Sequence, residues 1–156
     1  MRQMLWMSLA GSFLLSHSAA QRSPQEATLK GSWQIVETVS PQGQRNTAPE
    51  PSLYIFTDRY YSLQSVTAPR TVPEPRTRGL TDQEKLAAWG PFVAHAGRYE
   101  LKDNVLSMRP VVAKNPAVMA ANGGEGTADI KFDGGSTVYM TAKNPQGATL
   151  KLRRLE

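Results

Sequence analysis

Beyond its first twenty residues the chain keeps a single histidine, His95, in the stretch FVAHAGRYEL (92–101), and Tyr99 follows four residues later. An imidazole near a phenol is a pair that could pass a proton at near-neutral pH, which makes His95 and Tyr99 the candidates for general acid–base chemistry. A base of that kind needs an orienting carboxylate or a nucleophile within hydrogen-bond reach. Glu100 and Glu125 are the acids to consider. Strand alternation puts Glu100 on the opposite face from His95, and Glu125 lies in a glycine-rich stretch. With no cysteine and one histidine after residue 20, a zinc site would have to be built almost wholly of carboxylates, so no metal is expected. No serine stands in a nucleophile elbow, no acidic pair stands out, and no phosphate-binding glycine loop precedes a helix. Hydrolase, kinase and dehydrogenase chemistry are excluded on these grounds, and no cofactor is implied. His95 reads first as part of a wall.

The elements that must position these residues are strands. From Gly31 onward, short β-branched, aromatic and apolar runs are separated by Pro, Gly, Asn and Asp about every ten residues, the rhythm of an antiparallel sandwich or barrel. The pattern predicts strands at 31–39, 52–57, 60–66, 93–101, 104–112, 127–133, 136–142 and 148–155. Turns fall at Asp58-Arg59, Asp103-Asn104, Asp133-Gly134-Gly135 and Asn144–Gly147. Links this short make sequence neighbours pair antiparallel, so the order is mostly a meander. On the strand at 93–101, Val93, His95, Gly97, Tyr99 and Leu101 share one face, and the charged Arg98 and Glu100 take the other.

Two segments break the rhythm. Ala68–Gly79 carries three prolines and reads as an exposed loop. Thr81-Asp82-Gln83-Glu84 then has capping-box spacing and predicts one short helix at about 81–89, packed by Leu86 and Trp89 against the sheet or over a barrel mouth. Lys114–Gly126 mixes small apolar residues with glycine and reads as a long connection.

Residues 1–20 open with Arg2, run apolar from Met4 to Leu15, and end in Ser18-Ala19-Ala20, the layout of a cleavable signal peptide cut before Gln21. The apolar run is too short to span a bilayer. Export to a periplasmic or extracellular compartment is therefore expected, with no stable membrane insertion after cleavage. The remainder is the size of one domain, and without cysteine it must be held by packing and strand pairing alone. The net charge of +5 is scattered, and Arg70, Arg76 and Arg78 form the only loose basic cluster, so no nucleic-acid partner is expected.

Several short stretches resemble, in order, one family. Gly31-Ser32-Trp33-Gln34-Ile35-Val36 looks like the opening G-[TS]-W strand of lipocalin-like proteins. Leu53–Asp58 and Tyr60–Gln64 resemble the second and third strands of the bacterial and fungal lipocalin-like domain family. Ala94–Glu100 is similar to that family's A-Y-x-G-R-Y-E strand, and Leu152-Arg153-Arg154 resembles its closing W-x-R. The resemblance covers residues 27–156 and implies an all-β fold: an eight-stranded antiparallel lipocalin-like barrel, a calycin-type meander with one short helix in a long loop. The chain departs from the family pattern at Arg59 (glycine), His95 (tyrosine), Ser107 (a nearby histidine), Leu152 (tryptophan) and through the loop at 114–126.

A closed barrel brings its first and last strands together, which would lay the guanidinium of Arg154 over the indole of Trp33 and plug one end. His95, Tyr99, Phe56, Leu63, Met108 and Met140 are then the candidate pocket residues, mostly apolar with two polar rings. Three functions fit this expectation. The first is an exported carrier of a small, largely apolar molecule. The second is an isomerase or cyclase using the barrel cavity, with His95 and Tyr99 moving protons. The third is a solid barrel that meets a protein partner through the basic loop at Arg70–Arg78.

Overall fold

The computed structural model describes residues 28–70, 79–120, 126–144 and 147–156. Residues 1–20, expected from their sequence to be a signal peptide, lie outside the described residues, as do Arg76 and Arg78 of the proline-rich loop and Glu125. Nine strands occur among those described: β1 (Gly31–Val39), β2 (Arg45–Asn46), β3 (Ser52–Phe56), β4 (Tyr60–Val66), β5 (Phe92–Lys102), β6 (Val105–Ala113), β7 (Gly126–Asp133), β8 (Thr137–Ala142) and β9 (Thr149–Arg154). A helix, α1 (Asp82–Trp89), precedes β5, and a single 3₁₀ turn (Pro116–Met119) follows β6. All strand pairs are antiparallel in the order β1-β3-β4-β5-β6-β7-β8-β9, and β9 returns to pair with β1. The result is a closed eight-stranded barrel, with two-residue β2 appended to the far end of β1.

Turn chemistry fixes which way each strand runs. Asp103 and Asn104 both adopt positive φ (50° and 63°), the left-handed pair that a two-residue hairpin needs to match the twist of β5 and β6. The β3–β4 turn is made differently: the Thr57 hydroxyl accepts from the Tyr60 amide at 3.1 Å, and no residue of that turn has positive φ. An arginine at position 59 is therefore tolerated where the resembling family has glycine. Together with the turn at Gly134, these hairpins all lie at the end where β1 begins and β9 finishes.

Two bulges bend the wall. Val36 has no partner on β9, and Val111 is left over where β6 passes from Pro110 to Val112 against β5. Pro110 cannot donate to the ladder, which suits it to that bulge. The inner layer is apolar, with Trp33, Phe56, Leu106, Val138 and Leu152 almost fully buried. Each such side chain contributes about 1.5–3 kcal/mol by leaving water.

The helix has the capping box its sequence predicts. The Thr81 hydroxyl accepts from the Glu84 amide and the Glu84 carboxylate accepts from the Thr81 amide at 2.7 Å. Its packing is not as expected. Leu86 is 71% exposed and Trp89 55% exposed. Leu86, Ala87, Ala88 and Trp89 are consecutive, so they wrap around the helix and give it no apolar stripe to bury. The helix is held instead at its C-terminal end by Lys114, whose ammonium donates to the carbonyls of Trp89, Gly90 (3.1 Å) and Phe92 (2.8 Å) and lies 5.1 Å from the Trp89 ring centroid.

Candidate functional site

The hairpin end of the barrel is sealed. Trp33 pairs across from Arg154 in the β1–β9 ladder, and the Arg154 guanidinium lies 4.2 Å from the centroid of its ring. The same guanidinium donates to the carbonyls of Thr28 (2.6 Å), Gly135 (2.8 Å) and Lys30, while the Trp33 indole N–H donates to Leu29 O at 2.6 Å. Leu29, a residue outside the expected strands, is 2% exposed beneath this layer. A side chain at Gly31, whose φ is +124°, would place its Cβ 2.6 Å from Arg154 Nη1, so the glycine is needed for the arginine to lie flat.

Above the base the interior is lined by rings. Phe56 meets Tyr99 edge to face at 5.2 Å between centroids, and the Tyr99 hydroxyl donates to Thr57 O at 2.7 Å. His95 opposes Leu63 on the inner face of the β4–β5 ladder, and its Nδ1 lies 2.9 Å from the Tyr61 hydroxyl. Burial lowers the His95 pKa and pushes that of Tyr61 up to about 12. Both groups are thus neutral near pH 7 and share one hydrogen bond between the phenol and Nδ1. His95 and Tyr99, the two proton-transfer candidates, do not bond to each other. The partner of His95 is Tyr61, which the sequence reading had not singled out.

The opposite end is open because strands part there. β1 pairs with β3 only from Gly31 to Trp33, after which the Ile35 amide turns to the Ser52 hydroxyl (2.9 Å). β6 pairs with β7 only from Val105 to Met108. A cavity lies beside each parting. One, of about 350 Å³, is walled by Leu63, Met108, Ala128, Met140 and Ala142, with Lys143 and Asn144 at its edge. The other, of about 620 Å³, lies between Ile35, Ser65, Val66 and Val93, with Asn46 and Glu50 toward solvent. Tyr54, Ala148 and Leu150 line both, so the two adjoin as neighbouring lobes at the mouth. These volumes are in the range of small-molecule pockets.

Of the six pocket candidates, Leu63, Met108 and Met140 line the first lobe. His95, Tyr99 and Phe56 line neither lobe. Phe56 and Tyr99 face inward but too deep, next to the hairpins of the sealed end.

Tyr54 was missed, although it shares the inner face with Phe56 and stands two residues nearer the mouth. It is 6% exposed, and burial pushes its pKa up to about 12. Its hydroxyl has no hydrogen-bond partner among the described residues, yet no buried side-chain oxygen there is sealed off without a partner. The Tyr54 hydroxyl therefore opens into the cavity. Ser65, 8% exposed, adds a second hydroxyl diagonally across the β3–β4 ladder. Among the described residues no group of three His, Asp or Glu side chains is placed to hold a metal, and no helix is long and apolar enough to cross a membrane.

A closed antiparallel eight-stranded barrel, plugged at one end and hollow at the other, is the lipocalin-like architecture, and a solved lipocalin-like structure agrees. A lipocalin-like protein from Bacteroides uniformis ATCC 8492 matches with a TM-score of 0.51 at 17% identity, over 81% of this chain and 98% of its own. An uncharacterized protein from Bacteroides eggerthii DSM 20697 matches with a TM-score of 0.49 at 16% identity, over 80% of this chain and 98% of its own. No family model matches the sequence, and neither does any curated protein. The fold is thus a lipocalin-like barrel.

Proposed function

We propose that this chain is an exported barrel that binds a small, largely apolar molecule at its mouth without transforming it. The observation that carries this reading is the pair of adjoining lobes above a sealed base: apolar walls of Leu63, Met108, Met140, Ile35 and Val93 surround space that side chains leave open. Apolar walls drive a ligand in from water, and a few polar groups orient it. Binding without conversion fits the state of His95, which is neutral and engaged by Tyr61 without any carboxylate partner among the described residues. The layout of residues 1–20 supports export.

Native mass spectrometry of the protein purified from its own host tests the reading. A co-purifying small species that is absent from the denatured spectrum is the expected result. Protein that is empty in every preparation, and that also fails to bind environment-sensitive apolar dyes, would overturn it.

A further inference from the structure

We propose that Tyr54 selects the ligand: its hydroxyl donates a hydrogen bond to a single neutral oxygen acceptor, a ketone, ester or ether oxygen, on an otherwise apolar molecule seated across both lobes. This rests on the mouth cavity being a binding site.

Three observations converge on Tyr54. It is the large residue shared by both lobes and lies between them. Its side chain is more than nine-tenths buried, and its hydroxyl is without a partner among the described residues while still open to the cavity. The other buried interior tyrosine, Tyr61, spends its hydroxyl on His95. A hydroxyl that faces a cavity and has no protein partner is free to exchange water for a ligand acceptor, a net gain of about 0.5–1.5 kcal/mol for one neutral hydrogen bond.

Charge on the walls makes the acceptor neutral. Among the described residues Lys143 is the one cation lining either lobe, and it is already paired with Asp129 at 3.0 Å. Glu50 adds a negative charge to the second lobe. A buried carboxylate or phosphate on the ligand would meet no unshared positive charge and would be penalised by desolvation. Tyr54 itself stays protonated well above neutral pH, because its burial disfavours the phenolate. It therefore acts as a donor throughout the physiological range.

The test uses two tricyclic probes of nearly equal shape, 9-fluorenone and fluorene, which differ by one carbonyl. Both are titrated into wild type and Tyr54→Phe, a change that removes only the unpartnered hydroxyl. Tyr54→Phe is expected to weaken fluorenone by about five- to tenfold, the worth of one neutral hydrogen bond, and to leave fluorene within about twofold. Infrared difference spectra of wild type with bound fluorenone supply a readout that needs no variant: the carbonyl band should fall below its position in an alkane solvent. If both probes bind but Tyr54→Phe changes them equally, or the carbonyl band does not move, the role of Tyr54 is refuted while the binding site stands. If neither probe binds wild type, the cavity reading itself fails.

Discussion

The Arg154 guanidinium lies over Trp33, 4.2 Å from the ring centroid, and spends its donors on the carbonyls of Thr28, Lys30 and Gly135. One side chain thus joins the start of the described chain, the β7–β8 turn and the last strand. Arg154→Met leaves those carbonyls without their charged donor and removes the cation from the ring, at an expected cost of about 3 kcal/mol. For a domain of this size the melting temperature should fall by about 10 °C. Arg154→Lys has a compact ammonium that cannot reach three carbonyls from a stacked position, so it should recover less than half of the loss. Thermal unfolding of the three proteins decides this, and a loss under 1 kcal/mol for Arg154→Met would refute the plug.

Gly97 faces the backbone of β6 where the wall bends. A Cβ there would collide with the Arg109 carbonyl oxygen and stand 2.7 Å from Pro110 Cα, both main-chain atoms that cannot swing away. Gly97→Ala should cost about 3 kcal/mol, since the bulge must open to admit the methyl group. Gly43→Ala is the contrast. Its φ is +81° but nothing lies within 4 Å, so only the backbone penalty of about 1 kcal/mol applies. Urea midpoints of the two variants should rank in that order.

The depth of residues along the strands was harder to read than their face. Alternation correctly turned His95 inward, whereas it left the faces of the strands at 52–57 and 60–66 ambiguous, and the Asp103-Asn104 hairpin could be seen because both residues tolerate positive φ. Capping-box spacing likewise located α1. Height within the barrel depends on which turns gather at which end. Phe56 stands next to the 57–59 turn and Tyr99 three residues before Lys102, so both lie at the sealed end and reach no mouth cavity. Tyr54 could have been found by counting inward positions from the turn toward the mouth. The lobes themselves could not be read, because they exist where ladders stop at Trp33 and Met108, and no residue pattern marks the end of a pairing.

His95 should make stability depend on pH in one direction. Burial holds its folded-state pKa below the ordinary 6.5, so the unfolded chain takes up the proton first as pH falls. The contribution is fully present above the unfolded value and is lost progressively below it, until the folded imidazole also titrates. Wild type should therefore lose unfolding free energy between pH 7.5 and 5 that His95→Gln does not lose. His17 is common to both chains and cancels in the difference. Parallel pH profiles for the two proteins would show that His95 is not the buried neutral group described.

Lys114 grips the end of α1, so Lys114→Met should loosen the helix without unfolding the barrel. Its ammonium holds the Gly90 and Phe92 carbonyls at 3.1 and 2.8 Å, while no residue of the helix is buried. Amide exchange from Lys85 to Gly90 should accelerate about tenfold or more, while the unfolding free energy from urea titration changes by less than about 0.5 kcal/mol. A matching loss of global stability would mean that the helix is part of the core after all.

Ala148 is the position that separates a hollow barrel from a filled one. It is shared by the two lobes with Tyr54 and Leu150, so three added carbons at Ala148→Leu enter the junction between them. In a filled interior that addition is overpacking and destabilises by about 1–3 kcal/mol. In a hollow one the new side chain finds space, gains contacts, and excludes the ligand. Ala148→Leu should therefore keep the wild-type unfolding free energy to within about 0.5 kcal/mol while weakening 9-fluorenone at least about tenfold. Stability and binding falling together would mean the interior was already full, and the surface would then be the place to look for a partner.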